Sequence, residues 1–271
     1  MLFRSPGEAD GAEYPVYDLS WDAIVQWCNA RSEEEGLVPC YCTDAAQTTV
    51  YRTGSRTLDN TMVKWHATGY RLPTEAEWEK AARGGLAGKR FPWGDTISHR
   101  QANFRIDGRN ASYEIGLTGY HTTDGVGDIP CIARVGHFAP NAYGLYDMAG
   151  NLYEWCWDWY GDYPAAFQTD PRGPASGAMR VDRGGCFIEG AGSCCVAYRT
   201  SGDPDSPYGY GFRPVRSADS QRGRHAALHA ANSNSHKEAE QPGAGQPATQ
   251  PADKVPVKDQ PSAPTSKDVP R

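Results

Sequence analysis

Every tryptophan, tyrosine and phenylalanine of this chain lies within residues 1–216. A packed core needs large apolar side chains, so a folded domain is confined to that part. From Ser217 onward the composition is Ala, Gln, Pro, Ser, Lys and Asp, as in QPGAGQPATQPADKVPVKDQPSAPTSKDVPR. Such a segment cannot bury enough apolar surface to offset its ordering entropy, which predicts a disordered tail over 217–271, extended by its prolines. The 8 Trp and 15 Tyr of the folded part, in a chain with 30 Gly, point to a domain rich in turns and loops rather than a helix bundle. The opening residues 1–14, MLFRSPGEADGAEY, have no apolar run and do not read as a signal peptide.

Two helices stand out between residues 15 and 216. Ser20 is placed to cap the first, Ile24, Trp27 and Cys28 share one of its faces, and Gly36 ends it. The second opens at Thr74, which with Glu77 has capping-box spacing. Trp78, Ala81 and Ala82 form its apolar stripe and Gly84-Gly85 stops it. In Tyr153–Trp159 the tryptophans 155, 157 and 159 recur with a period of two, which predicts a half-buried strand with all three on one face. Further strands are expected near Arg180–Phe187 and Gly211–Val215. Two helices, short strands and long loops make an irregular α+β domain.

The net charge of -6 excludes a basic footprint for nucleic acid. No apolar run approaches the roughly 18 residues of a membrane span. The eight cysteines are irregularly spaced without paired C-x2-C knuckles, so they read as small buried residues, not zinc ligands. His66, His99, His121 and His137 are scattered in sequence, with no facial-triad spacing for iron.

Four ordered stretches carry a resemblance: Tyr70–Glu79 (YRLPTEAEWE), Phe91–Asp95 (FPWGD), Ala139–Trp155 (APNAYGLYDMAGNLYEW), and Arg183-Gly184-Gly185 followed by Ala197-Tyr198-Arg199 and Gly211-Phe212-Arg213. Together they resemble the formylglycine-generating (sulfatase-modifying) enzyme family. The resemblance implies a C-type-lectin-like, loop-rich α+β fold with short antiparallel strands, pinned by calcium. It also makes residues 1–14 look like a remnant of a longer N-terminal segment, with which a signal peptide could have been lost.

Ca²⁺ takes hard oxygen ligands, mixing carboxylates with carbonyls exposed by tight loops. Asp147–Glu154 suits this, since two carboxylates flank a Gly-Asn turn, although the same residues also fit a solvated turn with Glu154 paired to an arginine. The resemblance implies a first calcium held by Asp147, Glu154 and the backbone oxygens of Gly150 and Leu152. It implies a second at Asn103, Phe104, Asp124 and Val126, with the insertion-like run Ile106–Thr122 between them.

Active family members oxidise a sulfatase cysteine to formylglycine, using O2 and Cu(I) held by two thiolates a few residues after the Gly-Gly turn. Here that run reads Gly185-Cys186-Phe187-Ile188-Glu189-Gly190-Ala191-Gly192-Ser193-Cys194-Cys195. Glu189 stands near the first catalytic position, so the family's cysteine pair is absent. Cys186, Cys194 and Cys195 remain as a rearranged thiol set. Two readings follow: a binding or accessory module for a protein or peptide ligand, or a copper-dependent oxidase acting on a sulfatase through those three thiols. For the module, the candidate contacts are Glu189 and Ser193 in one loop and Asp205 and Tyr208 in Asp203–Tyr210.

Overall fold

Ser20 has extended backbone, and its Oγ accepts from the Ala23 amide at 3.3 Å, so helix α1 runs Trp21–Glu34 as the cap predicts. Its buried face carries Trp21, Ile24, Val25 and Cys28, together with the polar Asn29 and Ser32. The polar pair fastens irregular chain to the helix. Asn29 Nδ2 donates to the Tyr41 and Tyr51 carbonyls, each at 2.9 Å, and Ser32 Oγ accepts from the Tyr70 amide at 2.8 Å. Trp27 is only half-buried and packs edge-on against Phe212. Helix α2, Glu75–Arg83, has the full capping box, and Gly84 ends it at φ 54°.

The computed structural model describes residues 13–108, 112–121 and 132–217. They belong to one compact unit, Met1–Asp219; the predicted tail beyond Ser217 lies outside the described residues. The strands are β1 Tyr70–Arg71, β2 Ile97–Ser98, β3 Arg105–Ile106, β4 Glu114–Ile115, β5 Gly119–Tyr120, β6 Tyr153–Trp159, β7 Arg180–Arg183, β8 Thr200–Gly202, β9 Tyr210–Gly211 and β10 Val215–Arg216. The central sheet has the order β8-β7-β6-β9, and three two-stranded pieces surround it. Most pairs are antiparallel, as expected. The exceptions are β6–β9 and β2–β4, which are parallel. In the first case the chain crosses through β7 and β8 before returning beside β6, a connection long enough for a parallel pair.

The expectation of a half-buried tryptophan strand is corrected. Alternation holds, but both faces of β6 are covered, and Trp155 through Trp159 are all buried. Trp155 and Trp157 join Trp21, Tyr41 and Leu58 beneath α1, while Cys156 joins Trp78, Val181 and Val196 beneath α2. A strand sandwiched between two helices has no solvent face, whatever its period. Trp157 stacks on Tyr41 with ring centroids 5.4 Å apart. The Arg180 guanidinium lies 3.4 Å from the ring centroid of Trp159 and 3.8 Å from that of Trp21.

Two other strand expectations change at their ends. The stretch Arg180–Phe187 stops at Arg183, where Gly184 and Gly185 turn with φ of 98° and 76°. The stretch Gly211–Val215 divides into β9 and β10, which belong to different sheets. Glu13, in the opening segment, is exposed but tied to the domain: its carbonyl accepts from Val135 N at 2.7 Å and its carboxylate pairs with Arg134. Among the described residues no helix is long and apolar enough to cross a membrane.

Candidate functional site at the glycine turn and the acidic turn

The Gly184-Gly185 turn doubles the chain back on itself. A Cβ at Gly185 would meet the Ser193 backbone at 2.8 Å, so the loop's start and end can touch only with glycine there. Within the loop the Gly190 carbonyl accepts from the Ser193 amide at 3.1 Å and from Ser193 Oγ at 2.8 Å. Cys194 and Ala191 sit in a core with Phe91, Ile97 and Phe104, and Cys195 packs at its edge. Cys186 and Cys194 are buried, and Cys195 is half-buried. Burial pushes the Cys186 thiol up to about 11, drives Cys194 higher still and raises Cys195. Burial thus raises the cost of forming thiolates, the form that a soft metal binds. Among the described residues no three His, Cys, Asp or Glu side chains gather as a metal centre.

The loop's polar candidates turn inward. Glu189 is half-buried; it accepts from the Tyr153 hydroxyl at 2.8 Å, and its carbonyl accepts from Arg105 N at 2.8 Å. Ser193 is buried. Asp205 is exposed, and Tyr208 is 77% exposed. Tyr210 feels the charges of both Glu189 and Asp203, so both candidate loops border this tyrosine. Solvent meets two large side chains that were not among the candidate contacts, Ile188 at 48% and Tyr198 at 40% exposure. Beneath the loop lies another unanticipated group, Asp182 of β7. It is 1% exposed, and neither carboxylate oxygen has a hydrogen-bond partner. Burial, with Glu189 adding, pushes its pKa up to about 8.

The acidic turn is built from left-handed backbone at Asp147, Gly150 and Asn151, with φ of 55°, 74° and 69°. A Cβ on Gly150 would lie 2.2 Å from the Asn103 carbonyl oxygen, which accepts from Asn151 N at 2.8 Å. Asn103 of the second expected calcium set thus abuts Gly150 of the first. Asp147 Oδ2 accepts from Gly136 N at 2.7 Å, while its Oδ1 is buried without a partner. Burial raises the Asp147 pKa. An orphaned buried oxygen fits a cation with a hard-oxygen preference.

Glu154 fits less freely. Its Oε2 accepts from Trp78 Nε1 at 2.7 Å and from Arg213 Nε, and its Oε1 accepts from Arg213 Nη2 at 2.6 Å. With about four lone-pair sites on a carboxylate, one on Oε1 is left over. The Phe104 carbonyl already faces His99 Nε2 at 2.9 Å. Asp124 and Val126 lie outside the described residues.

The histidines are scattered in sequence but not in space. His99, His121 and His137 form a row with ring centroids 5.6 and 5.8 Å apart, flanked by Phe104 and Phe138. The remaining motifs support the scaffold. Arg183, fully buried, donates to Glu79 and to the carbonyls of Tyr198 and Val196. Arg199 grips both oxygens of Glu75 at 2.7 Å.

A family model for the sulfatase-modifying factor enzyme 1-like domain matches residues 3–218. Formylglycine-generating enzymes of Thermomonospora curvata and Streptomyces coelicolor are 44% and 42% identical over 154 and 160 residues, which is 54% and 56% of this chain. The match spans 48% of each enzyme, about half its length. The chaperone protein LppX of Paenibacillus barcinonensis is 31% identical over 239 residues, 80% of this chain and 75% of that protein. Among solved structures, Treponema denticola variable protein 1 superposes with a TM-score of 0.57 at 29% identity, covering 79% of this chain and 76% of the other. The match takes in both helices, the tryptophan strand, the acidic turn and the glycine turn, and the chain belongs to the sulfatase-modifying factor enzyme 1-like domain family.

Proposed function

We propose that the chain is a calcium-stabilised, C-type-lectin-like binding module of this family that lacks the copper-dependent oxidase chemistry. The observation that carries the reading is the state of the glycine-turn loop. Its first expected thiol position is Glu189, which accepts from the Tyr153 hydroxyl and supplies no sulfur for a soft metal. Exposed Ile188 and Tyr198 beside the glycine-turn loop, and exposed Asp205 and Tyr208 in the 203–210 segment, offer amphipathic contacts suited to a protein or peptide ligand. LppX, a protein named as a chaperone and matched over 75% of its length, supports a role outside oxidation.

The test is a peptide carrying Cys-x-Pro-x-Arg, incubated with Cu(I)-loaded protein and O2 beside an active formylglycine-generating enzyme. The cysteine is expected to stay unmodified by mass spectrometry. Its conversion to an aldehyde would overturn the reading and assign the chemistry to Cys186, Cys194 and Cys195 acting on a sulfatase.

Calcium in this reading is structural. Asp147, with its orphaned oxygen, and the carbonyls of Gly150 and Leu152 would hold the first ion, and Glu154 would add its remaining lone pair. A second ion would take its ligands from Asn103, Phe104, Asp124 and Val126. A ligand at a hundred times its Kd stabilises the native state by about 2.7 kcal/mol, or roughly 5–10 °C in a domain of this size. Chelator should lower Tm by that amount and Ca²⁺ restore it, and Asp147→Asn should remove the response. A Tm indifferent to chelator in the wild type rejects the assignment.

A further inference from the structure

A cavity of about 880 Å3 opens between the exposed side of α2, the end of β6 and the segment 161–174. None of its lining residues belongs to the Cys186–Cys195 loop or the acidic turn. Its size is that of a small-molecule site. Its walls are apolar and aromatic, from Tyr143, Trp159, Tyr163, Pro164, Pro171 and Pro174.

The cavity also contains a carboxylate without a countercharge. Asp158 is 4% exposed, and its Oδ2 accepts from the Glu75 amide at 2.8 Å. Among the described residues no Lys, Arg or His lies within ion-pair distance of it. Two other buried carboxylates are matched, since Glu75 holds Arg199 through both oxygens and Glu154 holds Arg213, whereas Asp182, which does not line the cavity, is unmatched like Asp158. Arg180 is the arginine whose charge acts on Asp158, but its Nη1 and Nη2 are spent on the carbonyls of Trp157 and Leu58, at 2.6 and 2.9 Å. A buried carboxylate without a cation is unfavourable, and burial pushes this one up to about 7. Gly173, at φ 72°, sits so close over Asp158 that an added Cβ would come within 2.8 Å.

We propose that this cavity binds a small molecule bearing an amine or guanidinium on an apolar body, with the cation held at Asp158 and the body between the aromatic and proline walls. A bound cation supplies the charge that the protein leaves out at Asp158. Of the cations lining the cavity, Arg199 serves Glu75, Arg83 serves Glu79 and Arg172 lies over Trp65, while Lys80, on the exposed side of α2, carries no ion pair among the described residues.

The test uses the full chain and three probes of one shape but different charge: tryptamine, tryptophol and indole-3-acetate, followed by calorimetry. Tryptamine is expected to bind about tenfold more tightly than either of the others. Asp158→Asn, which keeps an acceptor for the Glu75 amide, should bring tryptamine down to the level of tryptophol. Ala76→Trp, at an exposed helix position on the cavity wall, should abolish binding of all three. The proposal is overturned by equal binding of the three probes, by no binding of tryptamine at millimolar concentration, or by tryptamine binding that survives either substitution. Should Asp158→Asn fail to fold, the selectivity of the wild type and the effect of Ala76→Trp decide.

Discussion

Replacing Arg183 with alanine is expected to lower the unfolding free energy by about 3–5 kcal/mol, measured by urea denaturation. The side chain is fully buried and lies against Trp78, with its guanidinium 5.4 Å from the ring centroid. It donates to Glu79 and to two carbonyls that close the turn after the Cys186–Cys195 loop. Alanine strands those carbonyls without donors and leaves a cavity. Arg83 and Arg199 still hold Glu79 and Glu75, so the loss is dominated by the carbonyls and the void, not by naked carboxylates. Arg183→Lys should rescue little, because an ammonium cannot reproduce the fork that spans three acceptors. A loss below about 1 kcal/mol would show that the network is dispensable.

Asp182→Asn is expected to act in the opposite direction and to depend on pH. The folded pKa of Asp182 is raised to about 8 against roughly 3.9 in an unfolded chain. A carboxylate with a raised folded pKa contributes stability that is complete below the unfolded value and is lost as pH rises through the folded one. Wild-type stability should therefore fall from about pH 4 to about pH 8, with a slope of up to about 1.4 kcal/mol per unit. The asparagine variant has no proton to lose there and should overtake the wild type, ending a few kcal/mol more stable at pH 8. The groups acting on Asp182 are Glu189 and Arg183, and Tyr198, Tyr210 and Cys186 lie within its field. Parallel pH profiles for the two proteins would mean that the carboxylate is solvated, for example by trapped water.

The helices were the most legible elements because their signals are local. A capping serine, a capping box and a terminal glycine satisfy or release backbone groups within a few residues, and no distant partner is needed. Ser20, Thr74 and Gly84 accordingly do what their spacing predicts. The tryptophan strand was legible in its period but not in its burial, since whether a second helix covers the other face is not written in residues 153–159. The acidic turn was readable as a set of oxygen donors, but not the commitment of Glu154 to Arg213, which comes from 59 residues away.

What the sequence determined by itself was the restriction of every aromatic residue to residues 1–216, the two helices and the family likeness. All of these depend on residue identity or on short-range spacing. Only the tertiary structure decided that three histidines stand in a row, that Glu154 is committed to Arg213, and that Asp158 and Asp182 are buried without countercharges. The physical reason is that protonation state and exposure are set by everything packed around a group, and those neighbours arrive from strands and loops far along the chain.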